Sequence, residues 1–215
     1  MKIVLKEVFP SAEGFDKLME KVEWLYEESF PPPERHPFDK LRTLLEKEEV
    51  PRRTRMIVAL DNDEVVGLSI FQFAPEARLG YLWYLCVAPS ARRLGLGSRL
   101  YQRTLELLAQ EGATSMIFEV DPISTPPHPI YGDPVKRLRF YERLGARIII
   151  GYEFFQKPIP PHDEVRLDLM LHILDGSKCD GPKIARIIED WLWYLKGRKE
   201  EVPLNVRLGS LEELL

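Results

Sequence analysis

An apolar run closing at Ala88 and Pro89 leads into Ser90, Ala91, Arg92, Arg93, Leu94 and Gly95; Leu96, Gly97 and Ser98 then head a leucine-spaced stretch. A turn feeding a helix N-terminus presents unpaired N–H groups and the positive end of the helix dipole, and glycines let its backbone approach a ligand closely. Such chemistry suits an anion, a phosphate above all; the bland alternative is a plain strand-to-helix turn with two solvated arginines. Two phosphate loops do not fit. The GxxxxGK[ST] string is absent, and Gly95-Leu96-Gly97-Ser98-Arg99-Leu100 lacks the third glycine of GxGxxG. His36, His128, His162 and His172 show no metal-ligand spacing, and Cys86 and Cys179 form no CxxC pair, so neither a metal site nor a disulfide framework is expected.

A strand before this junction and a helix after it must position it. Residues 80–89 have strand composition. Residues 98–112 place Leu100, Leu107 and Leu108 on one side and Arg99, Arg103 and Glu106 on the other, with Gly112 as a helix terminator. Upstream, residues 2–9 alternate as a strand. Phe15, Leu18, Val22, Leu25 and Tyr26 mark a first helix, which Pro31, Pro32 and Pro33 end; a second helix is expected over about 38–48. Two β-rich runs flank Asp61, Asn62 and Asp63 as a hairpin. Downstream come a buried-type strand at 115–120, an irregular proline-rich loop over 122–135 and a short helix closed by Gly145. Two long strands follow, 147–155 and 164–174, and are expected to pair antiparallel. In the tail, Pro182 opens and Gly197 closes a helix whose Ile184, Ile187, Ile188, Trp191, Leu192 and Leu195 form an apolar stripe.

A length of 215 residues allows one domain with an appendage, here read as 1–174 and 175–215. Apolar content of 45% and charged content of 30% are those of a globular protein. A formal net charge of −4 argues against nucleic acid as partner, and no apolar run reaches the ~18–20 residues of a membrane span. A cytoplasmic monomer or homodimer without a membrane or nucleic-acid partner is the expectation.

The hexapeptide Arg92-Arg93-Leu94-Gly95-Leu96-Gly97 resembles the R/Q-x-x-G-x-G/A signature of the GNAT superfamily of N-acetyltransferases. Leu85-Cys86-Val87-Ala88-Pro89 is similar to that family's L-x-V-x-P lead-in, and Tyr141-Glu142-Arg143-Leu144-Gly145 to its Y-x-x-x-G helix. The order of elements also matches over residues 2 to about 174. The resemblance implies an α/β (α+β) fold, with a mixed central sheet of about seven strands flanked by helices; the C-terminal helix lies beyond it.

The resemblance also implies a site. Acetyl-CoA would be the cosubstrate, with no metal. Its pyrophosphate would lie on the amides of Arg93, Leu94, Gly95, Leu96, Gly97 and Ser98, beside Arg92, and its pantetheine arm along Leu85, Cys86 and Val87. Tyr141 matches the family's general acid. The stretch Tyr81-Leu82-Trp83-Tyr84 carries no acid where some relatives have a Glu, so Glu119 and Asp121 are the nearest candidates for general base, with Glu28 and Glu34 behind them. Asp121-Pro122 stands where relatives often have an Asn. Glu34 and Arg35 fall in a loop that would border the acceptor, a primary amine of a small molecule or peptide. The rival expectation is an acyl-CoA-binding sensor or scaffold of the same fold without turnover.

Overall fold

The computed structural model describes residues 2–32, 34–47, 52–129, 132–157 and 163–215. Its strands are β1 (Ile3–Glu7), β2 (Arg53–Asp61), β3 (Glu64–Ala74), β4 (Leu79–Val87), β5 (Ser115–Val120), β6 (Arg147–Ile150), β7 (Phe154–Gln156), β8 (Val165–Ile173) and β9 (Arg207–Gly209). Its α-helices are α1 (Phe15–Ser29), α2 (Phe38–Glu46), α3 (Leu96–Gln110), α4 (Pro134–Arg143) and α5 (Gly181–Tyr194). The sheet runs β1-β2-β3-β4-β5-β8-β6-β9, with β7 pairing β8. All of these pairs are antiparallel except β4 with β5.

Among the described residues nine strands stand against the expected number of about seven, for two reasons. The expected strand over 147–155 is cut in two at Gly151, whose φ of 95° lies in the left-handed region and cannot continue a pleat, so β6 and β7 become separate pairings along one side of β8. The added strand β9 comes from the tail and pairs with β6. Helix α2 ends at Glu46 because Lys47 is already extended. His162 lies outside the described residues.

Alternation along the strands sorts the helices between the two faces. Ser69 on β3 bonds Thr104 of α3 across 2.7 Å, so Ile70 must face the other way; its cross-strand partner Tyr84 meets Tyr26 of α1, ring centroids 4.9 Å apart. On β4, Gly80 sits under Leu108 of α3, and a Cβ there would come within 2.5 Å of that side chain. Its neighbours Leu79 and Tyr81 therefore face oppositely, into the apolar cluster built with Ile184, Ile188, Trp191 and Leu192 of α5. The stripe read in the tail is the side of α5 that docks on the sheet. Asp180 caps this helix, accepting from the Lys183 amide at 3.1 Å.

Trp191 is fully buried, 4.7 Å from the ring of Phe154 and 6.0 Å from that of Tyr81. Trp191→Ala is expected to lower the unfolding free energy by about 3–5 kcal/mol. Urea denaturation measures it, and a loss below about 1 kcal/mol would show that α5 is not integral to the core.

Candidate active site

The parallel pair of β4 and β5 lasts for three residue pairs, Leu79↔Ser115, Gly80↔Met116 and Tyr81↔Ile117, and then parts. The β3–β4 register slips where the parting begins, from Ile70↔Tyr84 to Phe71↔Leu82, leaving Trp83 as a bulge residue that bends its strand. The freed edge of β4 borders a cavity of about 720 Å³. The Ala88 amide donates to the Val66 carbonyl of β3 at 2.9 Å, so by alternation the amides of Leu85 and Val87 point away from β3 towards the opening. Leu85, Cys86, Val87 and Arg92 all line the cavity, and Arg92 Nε donates to the Val87 carbonyl at 3.2 Å.

The turn into α3 takes two left-handed residues, Arg93 at φ 66° and Gly95 at φ 70°. No side chain caps α3, so its first amides retain their capacity to bind an anion. Gly97, in the first helical turn, lines the cavity opposite Phe140, whose ring would lie 3.4 Å from a Cβ placed there. Arg93, Leu94, Gly95, Leu96 and Ser98 form the turn and helix start beside it: Leu94 is exposed, whereas Leu96 is buried in the core.

Tyr141 enters the cavity from α4 with 7% of its surface exposed, packed between Phe118 at 4.6 Å and Phe140 at 5.0 Å. Burial pushes its hydroxyl up to about 12, so it keeps its proton at neutral pH. Burial likewise pushes the Cys86 thiol up to about 12.

The carboxylates divide by position. Glu119 of β5 lines the cavity, and its Oε1 accepts from Lys196 Nζ at 2.5 Å; the same ammonium donates to the Tyr81 hydroxyl at 2.9 Å. Sequence reasoning missed Lys196, since a lysine beside a helix-terminating glycine reads as an ordinary partner of the helix dipole. Asp121 lines the cavity in an ion pair with Arg137 of α4, and Glu28 lies exposed on α1. Glu34 also lines the cavity. Burial, reinforced by the Asp121 charge and opposed by Arg137, pushes its carboxyl up to about 7.

The loop carrying Glu34 hangs on β4. The Tyr84 hydroxyl donates to the Glu34 carbonyl at 3.2 Å and accepts from the His36 amide at 3.2 Å, while Tyr26 holds the His36 carbonyl at 3.0 Å. Arg35 does not share Glu34's direction. Its guanidinium donates to the Glu27 and Phe30 carbonyls and pairs with the Glu27 carboxylate at 3.5 Å, closing the C-terminus of α1. His36 packs edge-on against Trp83 at 5.1 Å; burial, then Lys40, Lys196 and Arg52, lowers it to about 4, leaving a neutral imidazole. His128 and Gly132 exchange two 2.8 Å backbone bonds within the proline-rich loop, whose Thr125 and Pro126 form part of the cavity wall. Among the described residues no cluster of His, Cys, Asp and Glu is placed to hold a metal ion, and no helix is long and apolar enough to cross a membrane.

Between the ordinary carboxyl value of 4.5 and about 7, the folded chain keeps a proton on Glu34 that the unfolded chain releases. This contribution to stability is present at low pH and is lost as pH rises through about 7. Glu34→Gln is therefore expected to melt progressively higher than the parent between pH 5 and pH 8, and parallel melting curves across that window would contradict the assignment.

The sequence profile of the Acetyltransferase (GNAT) family matches residues 19–146. No curated protein matches the chain by sequence. A Bacteroides thetaiotaomicron protein assigned to the GNAT family superposes with a TM-score of 0.60 at 22% identity, covering 89% of this chain and 98% of its own. The ribosomal-protein-S18-alanine N-acetyltransferase of Escherichia coli gives a TM-score of 0.57 at 13% identity, covering 82% and 97%. Ard1 from Thermoplasma volcanium gives 0.57 at 19%, covering 81% and 99%.

Proposed function

The chain belongs to the GNAT family of acetyltransferases, and from that membership we propose that it moves an acetyl group from acetyl-CoA to a primary amine of a small molecule or peptide. The observation that carries this reading is the parting of β4 from β5, which opens a donor-lined slot between the uncapped start of α3 and the hydroxyl of Tyr141. Acetyl-CoA supplies an acyl thioester and a thiolate leaving group.

The residues of the chain divide the remaining work. Amides from Arg93 to Ser98, with Arg92 beside them, bind the diphosphate, because the helix start has no side-chain cap and the left-handed Arg93 and Gly95 turn the chain directly into it. Leu85 and Val87 present their free amides to the pantetheine arm as an added strand would, and an amide near Leu85 or Cys86 orients the thioester carbonyl. An alkyl amine, with a pKa near ~10, arrives mostly protonated. Glu119, fixed on β5 with its carboxylate at the cavity wall, takes that proton, and the free amine attacks the carbonyl carbon. As the N–C bond forms and the C–S bond breaks, Tyr141 donates its proton to the departing sulfur, and the phenolate so formed takes up the second proton that the nitrogen sheds on becoming an amide, which returns Tyr141 to its protonated state. Glu34 faces the acceptor from the α1–α2 loop and reads its polar groups, while Arg35 holds that loop in place. The Escherichia coli neighbour is named for an alanine of a ribosomal protein, so peptide α-amines belong in an acceptor panel beside lysine side chains and small alkyl amines.

Tyr141→Phe is expected to lower turnover by roughly 10²–10⁴-fold while coenzyme A affinity stays the same. Thiol release from acetyl-CoA with the amine panel, together with calorimetry for coenzyme A, reads both quantities. Full turnover in the variant would remove Tyr141 from the reaction. Folded parent protein that takes up no coenzyme A would end the acetyl-transfer reading, and uptake without thiol release for any amine would favour a sensor.

A further inference from the structure

Lys196 lies 50 positions beyond the segment that the family profile matches, yet its ammonium bonds Glu119 and Tyr81, two residues that line the cavity. Its ammonium sits 2.5 Å from Glu119 Oε1 and 2.9 Å from the Tyr81 hydroxyl, among the rings of Tyr81 at 4.7 Å, Trp191 at 5.1 Å and Phe154 at 5.7 Å. Side-chain exposure is 18% for Lys196 and 9% for Glu119. Burying such a pair costs desolvation that an apolar pair of the same volume would avoid, so stability alone is a poor reason for it.

The placement of Lys196 is itself fixed. Helix α5 ends there with the Lys196 amide donating to the Trp191 carbonyl at 3.2 Å, the Arg198 amide to that of Leu192 at 2.9 Å, and Gly197 left-handed at φ 66°. One residue earlier, the Leu195 carbonyl accepts from Arg52 at 3.0 Å, which ties the end of α5 to the approach of β2. The ammonium thus projects from a rigid helix terminus rather than from a free tail. The Tyr81 hydroxyl, kept protonated by burial, completes a three-membered cluster with Glu119 and Lys196.

We propose that Lys196 is a positioning residue for the transfer reaction: it fixes the Glu119 side chain at the acceptor end of the cavity, so that the segment after α5 completes the site. This rests on the assignment of Glu119 as the proton acceptor. Lys196 acts through Glu119 and touches no reacting atom.

A double-mutant cycle tests it, with acetyl-CoA as donor and the panel amine of highest rate as acceptor. Lys196→Met keeps the length and the ring contacts, and is expected to lower kcat by about tenfold or more while the coenzyme A dissociation constant stays within about threefold. Lys196→Arg, which retains a cation, should recover most of the rate. In a Glu119→Gln background, Lys196→Met should lower the rate no further. Additive losses, equal loss in the Arg and Met variants, or an unchanged kcat in Lys196→Met would each overturn the proposal. Full activity in Glu119→Gln alone would instead overturn the base assignment on which it rests. Crystal structures of Lys196→Met, or of Lys196→Gln should the first not fold, give a reading that needs no acceptor. Displacement of the Glu119 carboxylate is expected, and an unmoved carboxylate counts against the proposal.

Discussion

The structure depends on two parallel strands staying paired for only three residues. Beyond Tyr81 and Ile117 the hydrogen-bonding edge of β4 has no strand partner among the described residues, a costly state for a central strand unless something else takes those bonds. The bulge at Trp83 makes the parting a property of the strand itself, since an extra residue on one side of a ladder bends and twists it. Every other feature of the site is arranged around that opening. The turn to α3 delivers amides at one end, α4 delivers Tyr141, the α1–α2 loop delivers Glu34, and Lys196 at the end of α5 backs the wall by bonding Glu119.

Features that local chain chemistry controls were legible in the sequence. Arg92 to Gly97 specify a backbone path, and a backbone path follows from residue type: Gly95 adopts the left-handed region that its lack of a Cβ permits, and Gly97 leaves room beside Phe140. The apolar stripe from Ile184 to Leu195 likewise named the buried side of α5, because helical periodicity needs no knowledge of the partner. The ends of elements were less legible. Gly151 was in plain view, but the isoleucines before it and the aromatic residues after it both read as strand, so its interruption showed only once β8 was found pairing with two pieces.

What the sequence could not show depends on distance along the chain. Glu119 and Lys196 are 77 residues apart, and nothing in either neighbourhood points to the other. The raised value of Glu34 comes from burial and from the charge of Asp121, just after β5, against the opposing charge of Arg137 on α4, and both residues lie far downstream. Arg35 was grouped with Glu34 because they are adjacent, yet neighbours on an irregular loop need not face the same way, and the open carbonyls at the end of α1 claimed the guanidinium.

The Tyr84 hydroxyl has a consequence for energetics between sites. It holds the backbone on both sides of Arg35, while its own strand supplies the cavity edge along which Leu85 and Val87 lie. One phenol thus spans a loop and a strand edge, and neither can shift far alone without breaking one of its two bonds. Any binding event that displaced one of them would be linked to the other, by a free energy of the same size in both directions.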